Sequence, residues 1–448
     1  MNTFHIGGVH PNDNKRYSAH QPIIECPLPQ KAIVPLAQHI GAPAQTVVEK
    51  GQKVKVGDLL AKAGGFVSAN VHSPVSGTVT KIDTTTDAWG MKMPAVFIDV
   101  EGDEWAEGID RTPEIIRSCE IDPKEIIDRI AAAGVVGLGG ACFPTQVKLL
   151  PPPGKKAEVL IVNGVECEPY LTCDHQLMLE HGEEIMIGIQ LLMRALGIQK
   201  AIIGIEKNKP DAITHMQELA SRTLGVEVKA LKMKYPQGGE KQLIDACIGR
   251  QVPSGALPIE VGAVVDNVAT IYAVYEAVQK HKPLVSRVMT ITGKSVQKPG
   301  NYMVRFGTPL SEVVELAGGV PEDTGKIIGG GPMMGRAMNN IDMPAHKRTS
   351  GLLFLPEAES RRIEPENCIR CGKCVSACPM GLEPYLLSKQ AELQMWEDME
   401  KHDVMDCIDC GCCLFTCPSH RPLLDYIRMG KGKVGGIIRA RQAAAQKK

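Results

Sequence analysis

Two runs of cysteine constrain this chain more than any other feature. They read Cys368-x2-Cys371-x2-Cys374-x3-Cys378-Pro379 and Cys407-x2-Cys410-x2-Cys413-x3-Cys417-Pro418. Such spacing wraps three thiolates round one face of a cubane and sends the fourth elsewhere. With two runs, the fourth cysteine of each ligates the other cluster. Cys368, Cys371, Cys374 and Cys417 are therefore expected to hold one 4Fe–4S cluster, and Cys407, Cys410, Cys413 and Cys378 the second. Four-thiolate zinc sites also use C-x2-C pairs, but evenly phased cysteines closed by Cys-Pro, twice over, select iron–sulfur. Cys412 breaks no spacing and reads as a bystander. The 28 residues between Cys378 and Cys407 include the helical pattern GLEPYLLSKQAELQMWEDMEKHDV, which points to a helical ferredoxin variant rather than the usual hairpins.

The remaining composition narrows the setting. Fifteen cysteines is an odd total, nine of them lie between 368 and 417, and MNTFHIGGVHPNDNKR lacks the basic-then-apolar pattern of a secretory signal. Reduced thiolates holding metal are expected, not a disulfide framework. The 448 residues suit several domains. A net charge of −1 argues against nucleic acid as a partner. No run of about 18 uncharged apolar residues is present, so no transmembrane helix is expected.

Along the chain the pattern changes four times. Residues 1–110 read as short strands with Gly and Pro at the corners. VKVGDLLA and SPVSGTVTKI resemble the barrel-sandwich hybrid of biotinyl and lipoyl domains. A carrier places its modified lysine in a Met-Lys-Met hairpin before the second segment, where this chain has Phe66-Val67-Ser68-Ala69. Met91-Lys92-Met93 comes after it, so a carrier role is excluded. Residues 111–284 read as a Rossmann-like α/β domain. PEIIRSCEIDPKEIIDRIAAAG is expected to be helical, and GEEIMIGIQLLMRALG is a helix between the buried strands AEVLIVNG and KAIIGIEKN. Residues 285–350 suit a small β-grasp domain. Its IIGGGPMMG is read as a turn or close backbone packing rather than a phosphate site. The ferredoxin domain spans 351–427, and 428–448, with seven Lys/Arg and no Asp/Glu, is expected to be a solvated basic tail.

Gly137-Leu138-Gly139-Gly140-Ala141-Cys142-Phe143-Pro144-Thr145 is the best candidate for a phosphate-binding turn. It lacks a full G-x-G-x-x-G, and no P-loop exists, so an ATPase reading is unsupported. Asn163-Gly164-Val165-Glu166-Cys167-Glu168-Pro169 follows a buried strand, and ligands in open α/β sheets sit at the carboxyl ends of strands. These segments, with Lys148, YPQGGEKQL and VVDNVATIYAV, resemble in order the NADH- and FMN-binding subunit of respiratory complex I. With the barrel-sandwich, β-grasp and ferredoxin segments added, the whole chain resembles the RnfC family. Its members belong to the Rnf complexes, membrane ion pumps that exchange electrons between ferredoxin and NAD.

The resemblance implies a site. Gly137, Gly139, Gly140 and Lys148 would hold the FMN phosphate end, and Asn163, Asp266, Asn267 and Thr270 would contact the flavin. Phe143 would stack near the nicotinamide, and Glu166, Glu168 and Glu240 would touch NADH or the flavin edge. Two positions depart from the complex I pattern: Cys142 stands for a glycine and Lys241 for a second glutamate. The implied function is an NAD(H)-reactive electron-transfer subunit of an ion-translocating ferredoxin:NAD oxidoreductase, with two 4Fe–4S clusters and FMN. Its partners would be the other Rnf membrane and peripheral subunits, with ferredoxin reached through the complex. It would sit peripherally on the cytoplasmic face of the inner membrane. The alternatives are a soluble flavin and iron–sulfur cobalamin reductase and a non-catalytic iron–sulfur conduit.

Overall fold

The computed structural model describes residues 2–87 and 90–446. The N-terminal barrel-sandwich packs a four-stranded sheet on a three-stranded one. The first runs Lys31–Pro35, Lys92–Gly102, Ser76–Thr86, Lys53–Val54, and the second Gln45–Thr46, Leu59–Lys62, Val71–His72. Alternation along the strands sends Val34, Leu60, Val79, Val96 and Ile98 inward. Where a carrier would hold its modified lysine, Ser68 is tied down: its Oγ donates to Ala42 O (2.8 Å) and its carbonyl accepts from Gln146 Nε2 (2.9 Å). This edge also meets the glycine turn, through Ile40 N–H on Cys142 O (3.2 Å). The first residues pair elsewhere, as Asn2 bridges to Leu231 and Val9 to Tyr235.

The α/β sheet is wholly parallel in the order Val226–Leu231, Ala201–Glu206, Val159–Asn163, Ala263–Asn267. The helix Gly182–Leu196 ends at Gly197 with φ +66. The expected helix over PEIIRSCEIDPKEIIDRIAAAG is shorter, covering only Pro123–Ala132. The residue before a proline is pushed out of the α region. Asp122 instead becomes the N-cap, its carboxylate accepting from the N–H groups of Lys124 (2.9 Å) and Glu125 (3.3 Å).

The β-grasp sheet is six-stranded: Ile24–Glu25, Gly300–Arg305, Ser286–Gly293, Gly351–Pro356, Thr324–Gly329, Arg336–Met338. It reaches past the boundary drawn at 350, because Gly351–Pro356 pairs with both Ser286–Gly293 and Thr324–Gly329. In the ferredoxin domain the spacer between the cysteine runs forms the helices Pro384–Glu392 and Trp396–Lys401. The two runs fold alike: Arg370 and Asp409 have φ +56 and +57, and Gly372 and Gly411 have φ +74 and +81.

The stretch expected as a solvated basic tail belongs, through Gln446, to a helix, Leu423–Gln446, and its last two residues lie outside the described residues. Leu423, Ile427 and Val434 recur at helical spacing and pack with Leu387, Ala391 and Met399. The density of charge in this stretch obscured that stripe. Among the described residues no helix is long and apolar enough to cross a membrane.

Candidate active site

The turn at 137–145 is a narrow hairpin. Gly137 N–H donates to Phe143 O (2.9 Å) and Cys142 N–H to Gly137 O (3.1 Å), while Gly139, Gly140 and Ala141 form its exposed tip. Gly140 takes φ +130, which side chains rarely tolerate. The hairpin is fastened at Leu138, whose N–H donates to Thr270 Oγ1 (2.8 Å) and whose carbonyl accepts from Arg287 Nη2 (3.2 Å). Thr270 therefore holds the turn. Cys142 is fully buried at φ +52. Burial pushes its thiol pKa up, against the pull of Arg348 and Arg287, and it is not part of the exposed tip. Phe143 is half-buried at the base of the turn.

Lys148 lies just beyond, in the short helix Thr145–Lys148. Its Nζ donates to Val265 O (2.6 Å) and pairs with Asp266 Oδ1 (3.2 Å), with Glu240 Oε1 at 3.9 Å. The Asp266 side chain has no exposure, and burial raises its pKa. Asn163 and Asn267 are paired residues at the ends of neighbouring strands, and Asn267 Nδ2 donates to Asn163 O (3.4 Å). Asn163 Nδ2 donates to Gly238 O (2.9 Å), and Asn267 caps its helix at Ala269 N–H (3.0 Å) while donating to Asp174 Oδ2 (2.6 Å).

The two glutamates of NGVECEP diverge. Glu166 Oε1 accepts from Asp174 N–H (2.7 Å), and its Oε2 lies 3.7 Å from Lys15 Nζ. Glu168 points the other way. It accepts from Tyr235 Oη and from the N–H groups of Met333 and Met334, on the β-grasp loop.

The eight run cysteines form two groups of unlike exposure, one with three buried members and the half-buried Cys407, the other with no buried member. Cys378, Cys407, Cys410 and Cys413 line one cavity with Pro379, Leu382, Leu387, Leu424 and Ile427. Cys368 and Cys371 are exposed, and Cys374 and Cys417 are half-buried. Cys412 is fully buried, its thiol 3.8 Å from Tyr235 O. The cavity abuts the α/β domain: Tyr235 Oη donates to Cys410 O (2.9 Å), Gln242 Nε2 to Pro379 O (3.2 Å) and Gly8 N–H to Ala377 O (2.9 Å). A separate cleft of about 610 Å³ lies at the opposite, amino end of the sheet. On its wall Arg250 pairs with Glu158, and His5 Nδ1 lies 2.9 Å from Asp245 Oδ2.

Comparison with known proteins resolves the architecture. The RnfC barrel sandwich hybrid domain family matches residues 2–103, the Nuo51 FMN-binding domain 130–276, the SLBB domain 288–337 and the 4Fe-4S dicluster domain 360–418. The chain is 47% identical to the C subunit of the proton-translocating ferredoxin:NAD(+) oxidoreductase complex of Clostridium ljungdahlii, over 95% of this chain and 93% of that one. It is 42% identical to the C subunit of the Na(+)-translocating complex of Acetobacterium woodii, over 96% of each. The chain belongs to the RnfC family of ion-translocating ferredoxin:NAD(+) oxidoreductase complexes. An NAD+-reducing NiFe-hydrogenase in the H2-reduced state shares its fold at a TM-score of 0.51, with 21% identity, covering 73% of this chain and 65% of that one.

As a member of that family, the chain carries its FMN-binding and dicluster domains, and its residues fit both groups. One buried carboxylate oxygen, Asp266 Oδ2, lacks a hydrogen-bond donor, and Glu166 Oε2 has only the Lys15 ammonium at 3.7 Å. An unmet buried acceptor is costly, and flavin N–H and ribityl hydroxyls are donors of the required kind. Cys378, Cys407, Cys410 and Cys413, with Cys412 beside them, wall one largely apolar cavity, which suits a thiolate-ligated cluster.

Sequence reasoning missed Lys15, Tyr235 and Asp174, because each meets the site through long-range contacts. Burial, then the nearby Glu166, pushes the Asp174 carboxyl up to about 7. A folded pKa above the unfolded one means stability falls as pH rises from the unfolded value through about 7. Asp174→Asn removes that loss. In cofactor-free protein, thermal melts are expected to show a Tm gain at pH 8 that shrinks towards pH 5. A gain independent of pH would contradict the assignment.

Proposed function

We propose that this chain passes electrons between NAD(H) and its partner subunits. The path runs through FMN at the glycine turn, a 4Fe–4S cluster at Cys378, Cys407, Cys410 and Cys413, and a second at Cys368, Cys371, Cys374 and Cys417. The contrast in exposure between these sets carries the reading: one is enclosed against the α/β domain, whereas the other opens to solvent where a partner can approach. When bound, FMN exchanges a two-electron hydride with the nicotinamide and single electrons with the clusters.

The protein's own work is positional. The backbone of Gly137, Gly139 and Gly140 leaves room for a phosphate, and Lys148 supplies positive charge beside it. Asp266 and Glu166 offer acceptors, and Thr270 and Arg287 keep the turn in place. Asn163 and Asn267 brace the floor, and Glu240 and Phe143 flank the opening on the nucleotide side. No acid–base residue is required, since the cofactor carries the chemistry. Relatives named for different ions, protons and Na(+), align over nearly the whole chain, which fits ion selection in other subunits. Such relatives also favour the complex over a soluble cobalamin reductase. The chain would sit peripherally on the cytoplasmic face of the membrane, held by the membrane subunits and reaching ferredoxin through them.

The test is an anaerobic NADH titration of the purified chain with FMN and clusters reconstituted. Flavin bleaching in optical spectra with the appearance of cluster EPR signals is expected. If clusters form but FMN does not bind and NADH changes nothing, the chain is a conduit without a nucleotide site.

A further inference from the structure

Glu168 stands where the family resemblance expects a nucleotide contact, yet its surroundings leave none free. Its Oε1 accepts from Met334 N–H (2.8 Å) and lies 3.1 Å from Tyr235 Oη, and its Oε2 accepts from Met333 N–H (3.1 Å). A Cβ on Gly331 would come within 2.2 Å of that Oε2, so the β-grasp loop is closed down on the carboxylate. The same loop touches the cysteine cavity, because a Cβ on Gly411 would meet Met333 O at 2.7 Å. Arg428 Nη2 joins them by donating to Met334 O (3.0 Å) and Asp409 O (3.3 Å). Tyr235 completes the ring. It is 2% exposed, and its Oη is 2.9 Å from Cys410 O. A phenol carries one proton, so this hydroxyl is shared between the carboxylate of the α/β domain and a carbonyl on the wall of the buried cavity.

We propose that Tyr235 and Glu168 are positioning residues for the buried cluster, seating it against the flavin domain and setting its potential, and that Glu168 does not bind nucleotide. The inference rests on the cluster reading proposed above. A phenol O–H aimed at the carbonyl of a ligating cysteine places the positive end of a dipole beside the cluster. The positive end of that dipole acts through space, and like hydrogen bonds to cluster sulfurs it favours the reduced, more negative state. The bridge also explains why IIGGGPMMG is glycine-rich: Gly331 admits the Glu168 carboxylate, and at Gly335 a Cβ would lie 2.2 Å from Gly331 O.

The experiment is a potentiometric titration followed by EPR on the full chain with both clusters, comparing wild type, Tyr235→Phe and Glu168→Gln. The signal missing from Cys378→Ser identifies the buried cluster. Phenylalanine keeps the packing and removes only the hydroxyl. Its expected effect is a roughly tenfold loss in the one-electron reduction equilibrium of the buried cluster, about 59 mV towards negative potential. The exposed cluster should not move. Glu168→Gln replaces an acceptor oxygen by a donor, and should shift the same cluster alone while leaving NADH affinity unchanged. Buried-cluster potentials equal to wild type in both variants would overturn the proposal. So would weaker NADH binding in Glu168→Gln with that potential unmoved. The potentials need neither FMN nor NADH, so a failure of flavin binding, which would defeat the proposed function, removes only the NADH comparison and leaves the cluster shifts to decide.

Discussion

Replacing Cys378 with serine is expected to remove the cluster of the other run. Cys378 belongs by sequence to the run that begins at Cys368, but it shares a cavity with Cys407, Cys410 and Cys413. Bound iron should fall from about eight to about four atoms per chain, the loss of one cubane. The EPR signal that survives should be that of the cluster at Cys368, Cys371, Cys374 and Cys417. Cys417→Ser should do the reverse, because Cys417 lies beside Cys374, whose thiol it influences electrostatically. The effects differ in breadth. Cys378 sits in the core with Leu387, Met399 and Val434, so losing the cluster there should also lower the thermal stability of the ferredoxin domain. Loss of the exposed cluster should leave that core nearly intact. If Cys378→Ser instead abolishes the cluster of Cys368, Cys371 and Cys374, each run ligates its own cluster and the interleaved assignment is wrong.

The second large effect is expected at Lys148. Its ammonium is the cationic partner of Asp266, whose side chain is fully enclosed. Lys148→Met leaves that carboxylate unpaired, and breaking a buried ion pair from one side costs about 3–5 kcal/mol. Burial already holds the folded pKa of Asp266 above its unfolded value, and removing the lysine raises it further. The penalty is therefore absent below the wild-type folded pKa, up to which both proteins lose stability alike. It grows as pH rises and is complete above the raised folded pKa. Chemical denaturation of the cofactor-free variant at acid and neutral pH measures this directly. Lys148→Met with Asp266→Asn should recover most of the stability, yet neither variant should retain FMN, because the charge beside the glycine turn is gone. Recovery of FMN binding in the double variant would make Lys148 a purely structural residue.

Several features were legible in the chain alone because they depend on neighbours along it. The buried strands Val159–Asn163 and Ala201–Glu206, and the helix ending at Gly197, follow from apolar runs and a glycine stop. Reading failed where a local signal competed with another. Helical periodicity before Pro123 lost to the constraint that proline places on Asp122. The seven basic residues after 427 hid the stripe that docks the last helix. Thr270 and Asn267, read as flavin contacts, also carry bonds to the turn and to Asp174 that no local pattern announces.

The sequence by itself determined the iron–sulfur chemistry and the order of the four domains. Cysteine spacing and strand or helix periodicity are short-range covalent properties, and they survive in one dimension. Tertiary structure alone decided which cysteines are enclosed and which face solvent. It also decided that Glu166 is held between Lys15 and the Asp174 N–H while Glu168, two residues on, turns into the bridge to Cys410. Burial and hydrogen-bond partnership arise between residues as far apart as Glu168, Tyr235, Met333 and Cys410. No local pattern encodes such meetings, because they exist only once all four segments have packed.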